Sequence, residues 1–215
     1  MLNLRIINDK RAGIGARVHR ASARLGLASV LGALTLLLIG ATAAQPRTAE
    51  ALSNREYLIK AAILYNFARF TEWPQATLAQ RKEFRLCVLG ADPFGSALDT
   101  VLGKPVQGLP VAVLRLERPD QSAECDLLYF GSTEMAQLVA AQSAIGNAPV
   151  LTVAEIPDFA RSGGHIEMLT VEDRVRFGIN QTGAERAGLK FSAKLLTLAD
   201  PGIGAPQGQR HATPK

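Results

Sequence analysis

The 215-residue chain has few of the side chains that commonly carry out catalysis or bind metals: two cysteines, three histidines and one tryptophan. Beyond residue 44 the histidines are His165 and His211, and no G-x-S-x-G, H-E-x-x-H or C-x-x-C motif is present. One histidine inside a predicted domain cannot form a zinc site without further ligands, and the sequence points to none. The sequence therefore predicts no catalytic residue, metal or cofactor. A secreted hydrolase is a weak alternative because no nucleophile–base pair is visible.

The chain beyond residue 44 also lacks net charge. The full sequence has 24 basic and 19 acidic side chains and a formal charge of +5. Residues 1–44 contain six of the basic side chains and one of the acidic ones, so 18 of each sign remain. Because no excess of positive charge is left to follow a phosphate backbone, we predict no binding to nucleic acid.

Residues 1–44 have the pattern of a secretory signal peptide. Six basic residues precede an apolar run of 16 residues at 25–40, and Ala41-Thr42-Ala43 fits the small-x-small rule for cleavage. The run is short for a membrane-spanning helix, which needs about 20 residues. We predict a cleaved signal peptide for the general secretion route, with an uncleaved membrane anchor as the alternative.

Cys87 and Cys125 are the two cysteines of the chain. An even number of cysteines in an exported protein indicates a disulfide bond. This bond would close a loop of 38 residues, which the chain-entropy model associates with about 4 kcal/mol of stabilisation. Two buried free thiols are the alternative.

Strand-like and helical patterns alternate along the mature chain, which is the pattern of an α/β protein. Short, largely apolar runs predict four strands, at 83–90, 109–116, 125–131 and 148–155. The alternation predicts a compact single domain with a mostly parallel central sheet, helices on both faces and a C-terminal β-hairpin.

The boundaries of this domain follow from composition. We assign residues 45–51 to a polar lead-in, 52–199 to the α/β domain and 200–215 to a disordered tail rich in proline and glycine. Within the domain, a short helix is expected at 156–161, and 181–199 should be helical with a break near Gly188.

The stretch KAAILYNFARFTEWPQ, residues 60–75, belongs to an aromatic-rich helix. Ser53-Asn54-Arg55-Glu56 is a capping box, and Pro74 disfavours helical geometry at Trp73, so the sequence predicts a helix from about 54 to 70.

This helix has more apolar residues than one core-facing stripe requires. Leu64 and Phe67 lie on the same side as Lys60, where a surface helix should be polar. One interpretation is a helix packed under loops. The other is a second, exposed stripe for a protein partner, with Leu64, Phe67 and Trp73 as its residues.

Residues 165–180 predict a hairpin that turns at Glu172-Asp173. In this register Met168 faces Phe177 and Ile166 faces Ile179, which forms an apolar face. The opposite face is polar and consists of His165, Glu167, Arg176 and Asn180.

The polar face of the hairpin is the best candidate for binding a small molecule. Arg176 could bind a carboxylate or phosphate through two hydrogen bonds, and Glu167 and Asn180 could bind an amine or amide. The alternative is a solvated face with an Arg176–Glu167 cross-strand pair, in which His165 is an ordinary hydrogen-bonded residue of a strand.

Five blocks of the sequence resemble the YfiR family of periplasmic proteins. They are KAAILYNFARFTEWP, CVLGADPFG, CDLLYFGSTE, PVLTVAEIPDFARSGGHIEML and VRFGINQTGAERAGLKFSAKLL, and together they extend over about residues 52–199. Cys87 and Cys125 match the positions of a family disulfide. The chain lacks the cysteines for a second bridge that relatives can have, and the family favours an apolar residue at the position of His165.

The resemblance implies a regulatory function. It implies a periplasmic repressor that binds the periplasmic part of an inner-membrane diguanylate cyclase, controls cyclic-di-GMP and biofilm formation, and tends to dimerise. A peptidoglycan-associated lipoprotein of the outer membrane is a possible further partner. The alternative that the residues leave open is a periplasmic small-molecule sensor that serves another membrane signalling system.

Overall fold

The computed structural model describes residues 46–172 and 174–204. The predicted signal peptide, residues 1–44, lies outside the described residues, as do residues 205–215 of the predicted tail.

In chain order the elements are α1 (Pro46–Arg69), β1 (Thr71–Glu72), α2 (Gln75–Leu78), β2 (Phe84–Leu89), a 3-10 helix (Gly95–Val101), β3 (Pro105–Val106), β4 (Leu109–Leu116), a second 3-10 helix (Pro119–Glu124), β5 (Leu127–Phe130), α3 (Met135–Ile145), β6 (Leu151–Ala154), β7 (Ile166–Val171), β8 (Arg174–Ile179), α4 (Gln181–Arg186), β9 (Lys190–Phe191) and α5 (Ala193–Leu198).

Among the described residues, seven strands form the central sheet, in the order β3-β4-β2-β5-β6-β7-β8. The five inner strands, β4-β2-β5-β6-β7, are parallel, and β3 and β8 add antiparallel edges. A separate antiparallel pair joins β1 to β9. The predicted mostly parallel α/β sheet is therefore confirmed, and the four predicted strands correspond to β2, β4, β5 and β6.

Both faces of the sheet are buried, as the continuous apolar runs of the inner strands require. Along β2, Leu86 and Val88 point to the core under α1, whereas Cys87 and Leu89 point to the core under α3. Successive side chains alternate between the faces because a strand has a period of two residues.

The predicted disulfide is present between Cys87 of β2 and Cys125, the residue before Asp126 and β5. The two Cα atoms are 5.9 Å apart. The bond forms because β2 and β5 are adjacent parallel strands, and both cysteines lie in the core under α3.

The register predicted for the hairpin is also confirmed. Met168 pairs with Phe177, Ile166 with Ile179, and Val171 with Arg174. Met168 and Ile166 are fully buried in the core under α1.

Two of the predicted helices differ from the structure. Helix α1 begins at Pro46, not near residue 54, because proline is compatible with a first helical turn and the following Thr-Ala-Glu-Ala-Leu stretch continues it at little cost. Residues 156–161 form turns instead of a helix. The predicted break near Gly188 is confirmed, and the short strand β9 lies between α4 and α5. Residues 200–204 form an ordered turn, in which the backbone N–H of Asp200 donates to the carbonyl of Phe177 at 2.8 Å.

Candidate functional site

The strand order produces a topological switch point at the carboxyl edge of the sheet. β4 lies on one side of β2 and β5 on the other, so the connections after β2 and β5 leave in different directions. In open α/β sheets, this is the usual position of a ligand-binding crevice. A cavity of about 400 Å³ is found at this place, and its size lies in the range of small-molecule sites.

The crevice is lined by α1 and by the segments that follow three neighbouring strands. The lining residues are Tyr57, Ala91, Asp92, Pro93, Tyr129, Phe130, Gly131, Ser132, Thr133, Glu155 and Ile156.

Two loops are joined by hydrogen bonds at the centre of the crevice. The N–H of Ala91 donates to the carbonyl of Ser132 at 3.1 Å. The approach is so close that a Cβ atom on Gly131 would lie 2.0 Å from the carbonyl oxygen of Ala91. Glycine is therefore required here, because a side chain would collide with the backbone of the neighbouring loop.

Asp92 occupies the turn after β2 in which a phosphate-binding loop would hold its anion. Its Oδ1 accepts from the N–H of Phe94 at 2.8 Å, and its Oδ2 lies 2.7 Å from Nε of Arg115. A carboxylate at this position disfavours a bound phosphate.

A buried lysine of α1, Lys60, contacts two residues that line the crevice, Glu155 and Tyr57. The side chain of Lys60 is 3% exposed and pairs with two carboxylates, Glu56 at 2.6 Å and Glu155. The hydroxyl of Tyr129 donates to the other oxygen of Glu155 at 2.8 Å. Glu155, at the end of β6, therefore joins a charged residue of the helix to a phenol of the sheet.

Both carboxylates affect the protonation of Lys60. Burial by itself lowers the pKa of Lys60, but hydrogen bonds and charge from Glu155 and Glu56 outweigh this effect and raise the pKa above its ordinary value. Burial, followed by the nearby charge of Glu155, raises the pKa of Tyr129. Lys60 is therefore charged and Tyr129 is neutral, so the phenol can donate a hydrogen bond.

Two tyrosines that line the crevice, Tyr57 and Tyr129, pack on the same buried phenylalanine. Phe94 makes edge-to-face contacts with Tyr57, at a centroid distance of 5.4 Å, and with Tyr129, at 4.8 Å. The ammonium of Lys60 lies 4.9 Å from the centroid of the Tyr57 ring.

Both charged side chains that line the crevice, Asp92 and Glu155, are carboxylates. Their cationic partners, Arg115 and Lys60, lie outside the lining, and Lys60 is shared with a third carboxylate, Glu56. This negative lining, next to aromatic rings, suits a small molecule that has a cationic amino group.

The sequence analysis did not identify this site. Its main residues come from α1, the loop after β2 and the end of β6, which are far apart in the chain. One signal was available: Lys60 lies in the same helical stripe as Leu64 and Phe67, and a lysine in an apolar stripe has to find a buried partner.

Of the two interpretations of the apolar residues on and after α1, the exposed stripe is wrong. Leu64 is fully buried, Phe67 is 1% exposed and Trp73 is 7% exposed. Phe67 packs edge-to-face on Phe177 of β8, and Trp73 packs on Phe84 of β2. These residues belong to the core because this side of α1 lies against the sheet, and contact with a partner through them would require them to leave the core.

The polar face of the hairpin is not an open surface. Two segments, 158–164 and 200–204, cover it. Asn180 donates to the carbonyls of Ala160 and Gly164, at 2.9 and 3.1 Å, and accepts from the N–H of Gly183 at 2.8 Å as the N-cap of α4. A Cβ atom on Gly178 would lie 2.1 Å from the carbonyl oxygen of Ile203.

Glu167 and His165 bind backbone groups. The carboxylate of Glu167, 3% exposed, accepts from the N–H groups of Asp158 and Ala160 at 3.1 and 3.2 Å. Nδ1 of His165 accepts from the N–H of Thr152 at 3.2 Å, and burial lowers the pKa of His165 to about 4. The imidazole is therefore neutral near pH 7.

Arg176 is the exposed member of the four residues. It pairs with Asp200 at 3.2 Å and not with Glu167. The prediction that the four side chains form one open polar face is therefore wrong, and a ligand role for any one of them stays a prediction.

A model of the YfiR/HmsC-like family matches residues 57–200 of the chain. The chain belongs to the YfiR/HmsC-like family. The match begins at Tyr57 in the crevice and ends at Asp200 beside Arg176, so the family domain includes the whole central sheet and the disulfide. Within the described part of the chain, no helix combines the length and apolar character needed to cross a membrane.

Proposed function

We propose that this protein is a periplasmic, non-enzymatic regulator that binds the periplasmic part of an inner-membrane diguanylate cyclase and keeps the cyclase inactive. The observation that carries the proposal is the YfiR/HmsC-like match over residues 57–200, which spans the complete sheet. Release of the cyclase would raise cyclic-di-GMP and favour biofilm formation.

Export and assembly are parts of the same proposal. The basic n-region, the apolar run at 25–40 and Ala41-Thr42-Ala43 support cleavage of a signal peptide and a periplasmic location. We propose a homodimer as the working form, and a peptidoglycan-associated lipoprotein of the outer membrane as a second partner that can sequester the regulator.

Deletion of the gene tests this function. The deletion strain should contain more cyclic-di-GMP and attach more strongly to surfaces, and a plasmid copy of the gene should reverse both changes. A copy that lacks residues 1–44 should not reverse them, because the protein would stay in the cytoplasm. Unchanged cyclic-di-GMP in the deletion strain, under several envelope stresses, would contradict the proposal.

A second function, small-molecule sensing, is favoured by the crevice at the switch point. Its size, its aromatic lining and its two carboxylates suit a ligand with a cationic amino group. A ligand bound there would contact both α1 and the ends of β5 and β6, so it could change the affinity for a protein partner.

Thermal denaturation with putrescine tests this second function, with the dianion succinate as the control of opposite charge. Putrescine should raise the melting temperature of the wild type, and Ser132→Phe, which fills the crevice, should abolish the shift. Ser143→Phe on the exposed side of α3 is the matched control and should keep it. No shift with putrescine, or an equal shift in both variants, would exclude a cation site in the crevice.

A further inference from the structure

Positive charges and aromatic rings alternate along the outer side of the end of α1. The guanidinium of Arg69 lies 5.7 Å from the centroids of both Tyr65 and Phe70. The ammonium of Lys104 lies 5.5 Å from the Tyr65 ring, and that of Lys194 lies 5.1 Å from the Phe70 ring. The order along this basic–aromatic row is Lys104, Tyr65, Arg69, Phe70, Lys194.

Three segments that are distant in sequence build the row. Arg69 belongs to α1, Lys104 precedes β3, and Lys194 is in α5. The hydroxyl of Tyr65 donates to the carbonyl of Pro105 at 3.1 Å, and the N–H of Ser192 donates to the carbonyl of Phe70 at 2.9 Å. Together with the β1–β9 pair, these bonds bring the three segments together before any partner binds.

The cations of the row are not neutralised within the described part of the chain. Arg69, Lys104 and Lys194 are exposed, and none of them forms an ion pair with a described carboxylate. Residues 45–215 have equal numbers of acidic and basic side chains, so this local excess is not a consequence of a basic composition. Pairs of cations that share one ring repel each other, and an acidic partner would relieve that repulsion.

We propose that this row is the docking surface for an acidic segment of a protein partner. The proposal rests on the proposed function, in which the partner is the periplasmic part of the cyclase. Arginine and tyrosine are enriched at protein interfaces and supply much of their binding energy. A carboxylate of the partner placed between two cations would gain from both, in a position that the rings already define.

A protein partner fits the row better than an anionic lipid surface. Glu72 is exposed, lies two residues beyond Phe70, and pairs in register with Lys190 across β1 and β9. This carboxylate, with Lys190 opposite it, interrupts the positive charge beside the row, whereas an extended anionic surface would favour continuous positive charge. A folded partner can place its acidic residues on the cations of the row and avoid Glu72.

A binding experiment tests the surface without knowledge of the partner. Protein purified from the periplasm is titrated with fluorescent hexaglutamate. We expect binding that weakens as salt is added, and at least tenfold weaker binding by the Lys104→Glu/Lys194→Glu variant. The matched control is Arg55→Glu/Arg174→Glu, which makes the same change in net charge at exposed positions near the other end of α1, where Thr170 bonds Glu56, and should stay within twofold of the wild type.

Three outcomes of this titration would overturn the proposal. One is an equal loss of binding in both double variants, which would show that only net charge matters. Another is no binding of hexaglutamate by the wild type. The third is row-dependent binding to phosphatidylglycerol vesicles without row-dependent binding to the peptide, which would assign the row to a lipid.

A cellular experiment separates this proposal from the proposed function. In the deletion strain, the wild type and the control variant should lower cyclic-di-GMP, whereas the row variant should not, although its melting temperature is unchanged. If deletion itself leaves cyclic-di-GMP unchanged, the proposed function fails, and the peptide titration alone decides on the surface. If the row variant represses as well as the wild type, the row is not the surface that binds the cyclase.

Discussion

Two clusters of buried polar side chains lie at different places in the same sheet, and they differ in what they bind. At the crevice, Lys60 pairs with the side chains of Glu56 and Glu155. Under the hairpin, His165 and Glu167 bind backbone groups of neighbouring segments.

This difference separates a candidate site from a scaffold. Backbone partners cannot move away without unfolding a loop, so the side chains of the hairpin cluster have a structural role. Side-chain partners can rearrange, and Glu155 is 24% exposed beside a cavity. The crevice cluster can therefore respond to a ligand, and the two clusters should respond differently to substitution and to pH.

The largest expected effect is at Lys60. Lys60→Met should lower the free energy of unfolding by about 4 kcal/mol at pH 7, because it leaves Glu155 without its cation in a largely buried place. Urea unfolding measures this change.

The double variant Lys60→Met/Glu155→Gln should recover most of the loss, because the charge left without a partner is then Glu56, which is 40% exposed, and the new amide oxygen can still accept from Tyr129. Lys82→Met, at an exposed lysine, is the control and should stay within about 0.5 kcal/mol of the wild type. A loss below about 1 kcal/mol in Lys60→Met would show that the pair does not stabilise the fold.

The hairpin cluster should give the strongest dependence on pH. His165 has an ordinary pKa of 6.5 and one of about 4 in the fold, so the unfolded chain takes up its proton first as the pH falls. The stability tied to neutral His165 is complete above about pH 6.5 and is lost towards pH 4, by about 3 kcal/mol.

His165→Gln should remove this part of the pH dependence, because the amide can replace the hydrogen bonds of the neutral imidazole but does not titrate. The measurement is the free energy of unfolding of both proteins between pH 4 and pH 7.5. Parallel curves for the wild type and the variant would contradict the assignment of this dependence to His165.

A smaller effect is expected at Glu167, which holds the backbone of Asp158 at a left-handed φ of 61°. Glu167→Ala should cost about 2 kcal/mol, because it leaves two N–H groups without an acceptor. Glu167→Gln should lower the free energy of unfolding by about half as much as Glu167→Ala, since the amide oxygen still accepts one of the two hydrogen bonds. Denaturant unfolding measures both, with the exposed Glu185→Ala as control. An Ala variant as stable as the control would contradict the anchoring role.

The smallest effect should come from Arg176, whose pair with Asp200 is largely exposed. Arg176→Ala should change the free energy of unfolding by less than about 1 kcal/mol, and the thermal shift with putrescine should not change, because Arg176 lies outside the crevice. Loss of the putrescine-induced rise in melting temperature in Arg176→Ala would show that the ligand binds at the hairpin.

Patterns along the sequence were sufficient for much of the fold. The apolar runs indicated the inner strands, because parallel strands are buried on both faces. The period of two residues predicted the pairing of Met168 with Phe177. The even number of cysteines predicted the Cys87–Cys125 bond, which the adjacency of β2 and β5 makes possible.

The same reasoning failed for single side chains. Residues of the hairpin were placed on the correct face, but sequence cannot show that the segments 158–164 and 200–204 return to cover that face. The apolar residues Leu64 and Phe67 were considered for a surface because Lys60, on the same stripe, suggested solvent. In the fold, Glu155 supplies the missing charge from 95 residues away, and the stripe is core.

The sequence by itself determined the class of fold, the disulfide and the family, because these depend on local periodicity and on blocks of residues that are contiguous in the chain. Only the tertiary structure decided where charge is buried and where it is exposed. The Lys60–Glu155 pair and the basic–aromatic row each join segments that are far apart in sequence, and the free energy of a charge depends on what surrounds it in space.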